Sequence, residues 1–183
     1  MPLMMLVEGR DKALQALPWH RVLPADVVAP AAVTVAARAA FPDSHALREV
    51  SSTDDVIARL QAMSSEGRRG FLLVSGGTVV EVTGPPSNDV GADFDLLHSF
   101  LEDQVGLDPH EFEFVRSPRH ALEESGGLST GGSSGTACLL PGITERGVED
   151  RAFGRGLLMA HKSTMFLPKV AEGVMFAPVD GIG

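Results

Sequence analysis

The sequence predicts an α+β fold, a single domain in which helices pack on a mixed or mostly antiparallel sheet. Residues 70–82, GFLLVSGGTVVEV, form two apolar, β-branched arms around Gly76-Gly77, the pattern of a tight hairpin. Residues 52–66 and 93–105 each carry an apolar stripe at helical spacing. The other strand-like and helix-like stretches alternate without the even spacing of a doubly wound repeat, which favours α+β.

Taken in order, LPWHRVLP (17–24) reads as one extended segment, because Pro18 and Pro24 push their predecessors toward β geometry. PAAVTVAARAAF after it is a helix with Pro30 in its first turn and Pro42 just past its end. HALREV is a brief strand. Ser52 and Asp55 have the spacing of a capping box, Val56, Leu60 and Met63 line one helix face, and Gly67 stops it. After the hairpin, GPPSNDVGA is a loop and Asp93 an N-cap. Phe94, Leu97, Leu101 and Val105 then fall on one stripe. EFEFV alternates as a strand, PRHALEES is a short helix, TACLL a buried strand, 144–153 a short helix and GVMFAPV a final strand. Strands near 112–115, 136–140 and 174–178 join the hairpin in one sheet. Residues 1–14 read as an N-terminal extension and 15–183 as the domain.

Composition narrows the function classes. Hydrophobic residues are 44% and charged residues 21% of 183, values of a folded chain. A net charge of −9 argues against general binding to nucleic acid or anionic membrane, which needs clustered cations, so any anion site is local. The single cysteine, Cys138, sits in an apolar run and predicts a buried thiol in a reducing compartment. The N-terminus lacks a signal-peptide pattern and no stretch reaches membrane-helix length, so the expected location is the cytoplasm.

Several motifs read blandly. The Gly/Ser stretch 126–135 lacks the Gly-Lys-Ser/Thr ending and precedes a strand, so it is a surface connection rather than a phosphate loop. His98 is a histidine at the edge of the core. The histidines and the lone cysteine show no metal-ligand spacing, so no protein-held metal is expected. Mg²⁺ could arrive only with a nucleotide. No Gly-x-Ser-x-Gly elbow supports a hydrolase, and few aromatics remain for stacking nucleic acid.

HKSTMFLPK (161–169) is the remaining candidate. Lys162, Ser163 and Thr164 offer an ammonium and two hydroxyls in succession, and Lys169 can close over the same ligand. On the residues alone, an anion site and a mere approach to a last strand stay open.

KSTMFLPKVAEGVMFAPVD resembles the C-terminal signature of the bacterial and archaeal domain-of-unknown-function family number ten-fifteen. ALPWHRVL, GFLLVSGGTVVEVTG, DFDLLHSFLEDQVGLD, FEFVRSPRHALE and ACLLPGITERGVED are similar to its preceding elements. The resemblance covers nearly the whole chain but only the C-terminal half of a typical member. It implies a fold more firmly than a reaction, and two family-like polar groupings: His20-Arg21, and Lys162-Ser163-Thr164 with Lys169. The resulting expectation is a site for a phosphate- or carboxylate-bearing ligand, in a remnant or subunit of a phosphoryl-transfer enzyme. Lys162 and Lys169 would neutralise charge, Ser163 and Thr164 would donate hydrogen bonds, Arg21 would give two-point recognition and His20 would serve as acid or base. The alternative is a non-enzymatic module that associates with itself or with a separately encoded N-terminal half.

Overall fold

The computed structural model describes residues 15–47, 50–129, 135–157, 159 and 162–167. Its strands are β1 (Gln15–Pro18), β2 (His20–Leu23), β3 (His45–Ala46), β4 (Gly70–Ser75), β5 (Thr78–Thr83), β6 (Glu113–Val115), β7 (Thr136–Leu139) and β8 (Thr164–Leu167). Its helices are α1 (Pro30–Ala40), α2 (Thr53–Ser65), α3 (Ala92–Ser99), α4 (Pro118–Ser125) and α5 (Glu145–Glu149). Six strands form one sheet in the order β3-β5-β4-β7-β2-β6, and β1 pairs with β8 in a separate ribbon. Every described pairing is antiparallel, which meets the α+β expectation.

The β4–β5 turn forms where the sequence puts it. Gly76 and Gly77 stand at φ 55° and 75°, the left-handed pair required by a two-residue hairpin turn. Because strand side chains alternate in direction, the sheet builds a core on each face. Leu23, Phe71, Leu73, Val80, Val82 and Cys138 point toward α1 and α3. Val22, Leu72, Val74, Val79, Val115, Ala137 and Leu139 point toward α2 and α4. The result is a sheet between two helical layers.

The Ser52 capping box is present, with the Asp55 amide donating to Ser52 Oγ at 3.2 Å and the Ser52 amide to Asp55 Oδ2 at 3.1 Å. Three expectations need correction. Asp93 is not a cap: α3 starts at Ala92 behind Gly91, and the buried Asp93 carboxylate instead accepts from the Gly70 amide at 2.7 Å and Arg69 Nη1 at 3.0 Å. The helix beginning there runs as α-helix only to Ser99 and continues as π-helix over Phe100–Val105. LPWHRVLP is two strands rather than one, since the chain leaves the β1–β8 ribbon at Pro18 and enters the main sheet at His20. The expected strand at 174–178 lies outside the described residues.

Candidate anion site

Arg21 is the unusual residue of the sheet. Its strand, β2, lies between β6 and β7, so its cross-strand partners are Phe114 and Cys138. The side chain is 0% exposed. Nη1 donates to the Trp19 carbonyl at 2.6 Å, Nη2 donates to His98 Nε2 at 2.7 Å, and the guanidinium carbon lies 4.3 Å from the Phe114 ring centroid. Nε has no partner. A guanidinium only donates, so His98 Nε2 must accept and its proton sits on Nδ1, 3.7 Å from Glu102 Oε1. Burial, and then the Arg21 charge, hold the His98 imidazole below its ordinary pKa.

Burial lowers the Arg21 pKa to about 10, which still leaves it charged at neutral pH. Cys138 beside it cannot compensate, because burial pushes the thiol up to about 12. Other buried charges are paired: Glu81 with Arg59, Asp93 with Arg69, and Arg151 with Asp89 and Asp95. Among the described residues Arg21 has no carboxylate partner. A lone desolvated charge costs several kcal/mol.

A second cation reaches the same ring. Lys162 Nζ lies 4.8 Å from the Phe114 centroid, and Lys162 is exposed. Its φ of 47° makes it the one non-glycine residue with left-handed backbone among those described, a conformation that costs about 1–2 kcal/mol. The Trp19 amide donates to the Ser163 carbonyl at 3.0 Å, which fastens the Lys162 turn beside the start of β2. A third cation, Arg116, lies with its guanidinium carbon 5.1 Å from the Trp19 ring. The acidic chain therefore gathers three cations around Trp19 and Phe114.

Of the residues singled out in the sequence, Arg21 and Lys162 meet at Phe114, and Ser163, only 2% exposed, adjoins them through its backbone. Thr164 pairs with Pro18 in the ribbon. His161 and Lys169 lie outside the described residues. His20 does not join the group. It precedes Arg21 by one residue on a strand, so it points to the opposite face, where Val22 and Val115 pack against α2 and α4. A site shared by His20 and Lys162 is therefore ruled out by the period of the strand. Phe114 and Arg116 escaped the sequence reading. Their alternation in EFEFVR was visible, but the register that sets them against Arg21 and Trp19 was not.

His20 has a separate role in stability. Nδ1 accepts the Leu140 amide at 3.2 Å, and burial, with Arg21 adding, lowers its pKa to about 3. A histidine held neutral in the fold loses stability as pH falls below its unfolded value near 6.5 and continues to do so down to the folded value. Between pH 7 and pH 5 the His20 contribution amounts to about 2 kcal/mol. His98 acts in the same direction, while Asp93, whose pKa burial raises, acts against it. Urea melts of wild type and His20→Gln at both pH values isolate the term: the wild-type loss should exceed the variant's by about that amount.

No family model and no curated protein matches the chain. Among solved structures, the fold is similar to a free serine kinase in complex with AMP, at TM-score 0.55 and 11% identity, and to a variant of that kinase in complex with ADP, at 0.54 and 10%. Each alignment covers 89% of this chain and 58% of that chain. A conserved hypothetical protein from Pyrococcus furiosus is similar at TM-score 0.50 and 15% identity, over 89% of this chain and 60% of that one. The likeness is one of fold, and the chain spans less than two thirds of the proteins it resembles. No helix among the described residues is long and apolar enough to cross a membrane, and none of their His, Cys, Asp and Glu side chains cluster to hold a metal ion.

Proposed function

We propose that the protein binds a small phosphate- or carboxylate-bearing ligand at Arg21 and Lys162, as part of a scaffold related to phosphoryl-transfer enzymes. The observation that carries this reading is the buried Arg21 guanidinium, charged and without a carboxylate partner among the described residues. Lys162 would make the exposed contact, its left-handed backbone aiming the ammonium over the ring that Arg21 also covers. An anion there would compensate both charges. The AMP and ADP complexes of the structurally similar kinase support a phosphorylated ligand, and the resemblance to family ten-fifteen supports the choice of Lys162 and Arg21.

Calorimetric titration with inorganic phosphate, phosphoserine, AMP, ADP and succinate tests the reading. At least one should bind, and Lys162→Ala should weaken it about 10- to 100-fold, the loss of one charge-assisted hydrogen bond of about 1.5–3 kcal/mol. Stability should change by less than about 0.5 kcal/mol, since the side chain is exposed. Binding that survives Lys162→Ala intact would remove Lys162 from the site, and silence across the panel would end the proposal. Association is the second reading, favoured by Phe153 at 89% exposure with Leu157 at 46%. Light scattering on the same samples separates it, because a strict monomer leaves the anion site alone.

A further inference from the structure

The opposite face of the sheet holds a cleft of ≈ 560 Å³ between α2, the start of α4 and the β1–β2 junction. Leu17, Ile57, Leu60 and Leu140 supply apolar walls, with Gln61 among the polar residues that line it. None of the lining residues is an acid, a lysine or an arginine. The wall is fixed: Ser64 Oγ donates to the Leu60 carbonyl at 3.3 Å and accepts the Gly142 amide at 2.6 Å, tying α2 to the segment after β7.

His20 is the polar group that gives this cleft a direction. It is 2% exposed and lines the cavity. The Leu140 amide can only donate, so Nδ1, which it meets at 3.2 Å, carries no proton, and the neutral ring holds its proton on Nε2. Among the described residues Nε2 has no hydrogen-bond partner, yet it is not one of the sealed, unsatisfied atoms of the interior, which are Arg21 Nε and Ser44 Oγ. It therefore reaches the cleft as a fixed N–H donor in a mostly apolar wall.

We propose that this cleft is a second ligand site, taking a small, neutral, mostly apolar molecule that presents a carbonyl oxygen or aromatic ring nitrogen to Nε2–H of His20. The volume falls in the range of small-molecule pockets, about 300–1,000 Å³. The walls contribute apolar burial, and the fixed His20 donor contributes orientation. A charged ligand would lose its hydration with no counter-charge to replace it, which separates this site from the anion site on the other face.

The probe for the test is Prodan, a neutral naphthyl ketone whose emission moves to the blue in apolar surroundings. Added to the whole chain it should show saturable, blue-shifted emission. Ile57→Trp, which fills the cleft from a half-buried helix position and leaves His20 in place, should abolish it. The ketone-free analogue 2-dimethylaminonaphthalene should bind wild type about tenfold more weakly, and His20→Phe should bring Prodan down to that level, the loss expected for one hydrogen bond. Should His20→Phe fail to fold, the two probes compared on wild type still measure the bond. No saturable emission, equal binding by Ile57→Trp, or equal binding of the two probes to wild type would each overturn the proposal.

Discussion

Arg21→Met should make the ligand-free protein more stable, by about 1–3 kcal/mol, and at the same time remove its response to the anion. The side chain is fully buried and charged, and its one ring contact and two hydrogen bonds meet no negative charge. Replacing buried ions by apolar groups of similar volume is often neutral or stabilising by about 1–4 kcal/mol. Methionine spans the same space with a flexible, unbranched chain and keeps a soft contact with Phe114. Against the gain stand the His98 Nε2 and the Trp19 carbonyl, which lose a donor at about 1 kcal/mol each. Urea melts in phosphate-free buffer read the sign. Saturating phosphate or nucleotide, about 100-fold above its Kd, should then raise wild-type stability by about 2.7 kcal/mol and leave Arg21→Met unmoved. If Arg21→Met is instead destabilised by a few kcal/mol, the guanidinium is a strut between β2 and α3, and the anion site loses its central residue.

The elements legible in the sequence are those fixed by local chemistry. Gly76-Gly77 needs no tertiary information to turn the chain, and neither does the Ser52–Asp55 box. Where a residue had two local meanings, tertiary contacts chose between them. Asp93 has the composition of a cap, but the free amide of Gly70 and the Arg69 guanidinium claim its carboxylate. The break at Trp19 was hidden for a related reason. A one-residue step between two sheets depends on which strands pair at each end, and Ser163, whose carbonyl holds the Trp19 amide, lies far along the chain.

The candidate site was legible in part. Arg21 and Lys162 could be named from their residue types and from the resemblance, but Phe114, which they share, could be found only from the β2–β6 register. The adjacency of His20 and Arg21 in sequence was misleading, because neighbours on a strand lie on opposite faces. That rule needs no structure, and it separates a buried cation on one face from a neutral donor in an apolar cleft on the other. The left-handed backbone of Lys162 had no sequence signal, since lysine is not a residue type that favours it.

Glu81→Ala should destabilise the fold by about 3–5 kcal/mol while leaving ligand affinity unchanged. Glu81 is 1% exposed on β5, and its carboxylate accepts from Arg59 Nε at 2.6 Å and Nη2 at 2.7 Å, a two-point pair that ties α2 to the sheet. Arg68 Nη1 adds a contact at 3.4 Å. Truncation leaves the Arg59 guanidinium, 19% exposed, with Glu66 at 3.8 Å as its one remaining acidic partner among the described residues, so the cost is that of a poorly compensated charge more than of a lost bond. The double variant Arg59→Leu/Glu81→Leu removes both charges and fills the space with apolar groups. It should recover most of the loss, and a double-mutant cycle completed with the single variants Arg59→Leu and Glu81→Leu should give a coupling of about 2–3 kcal/mol. This is the opposite pattern from Arg21, where removing the cation alone is the favourable step. If Glu81→Ala instead abolished anion binding in protein that remained folded at the assay temperature, the carboxylate would belong to the site. Equal destabilisation by the single and double variants would mean that packing, and not charge pairing, holds α2 against β5.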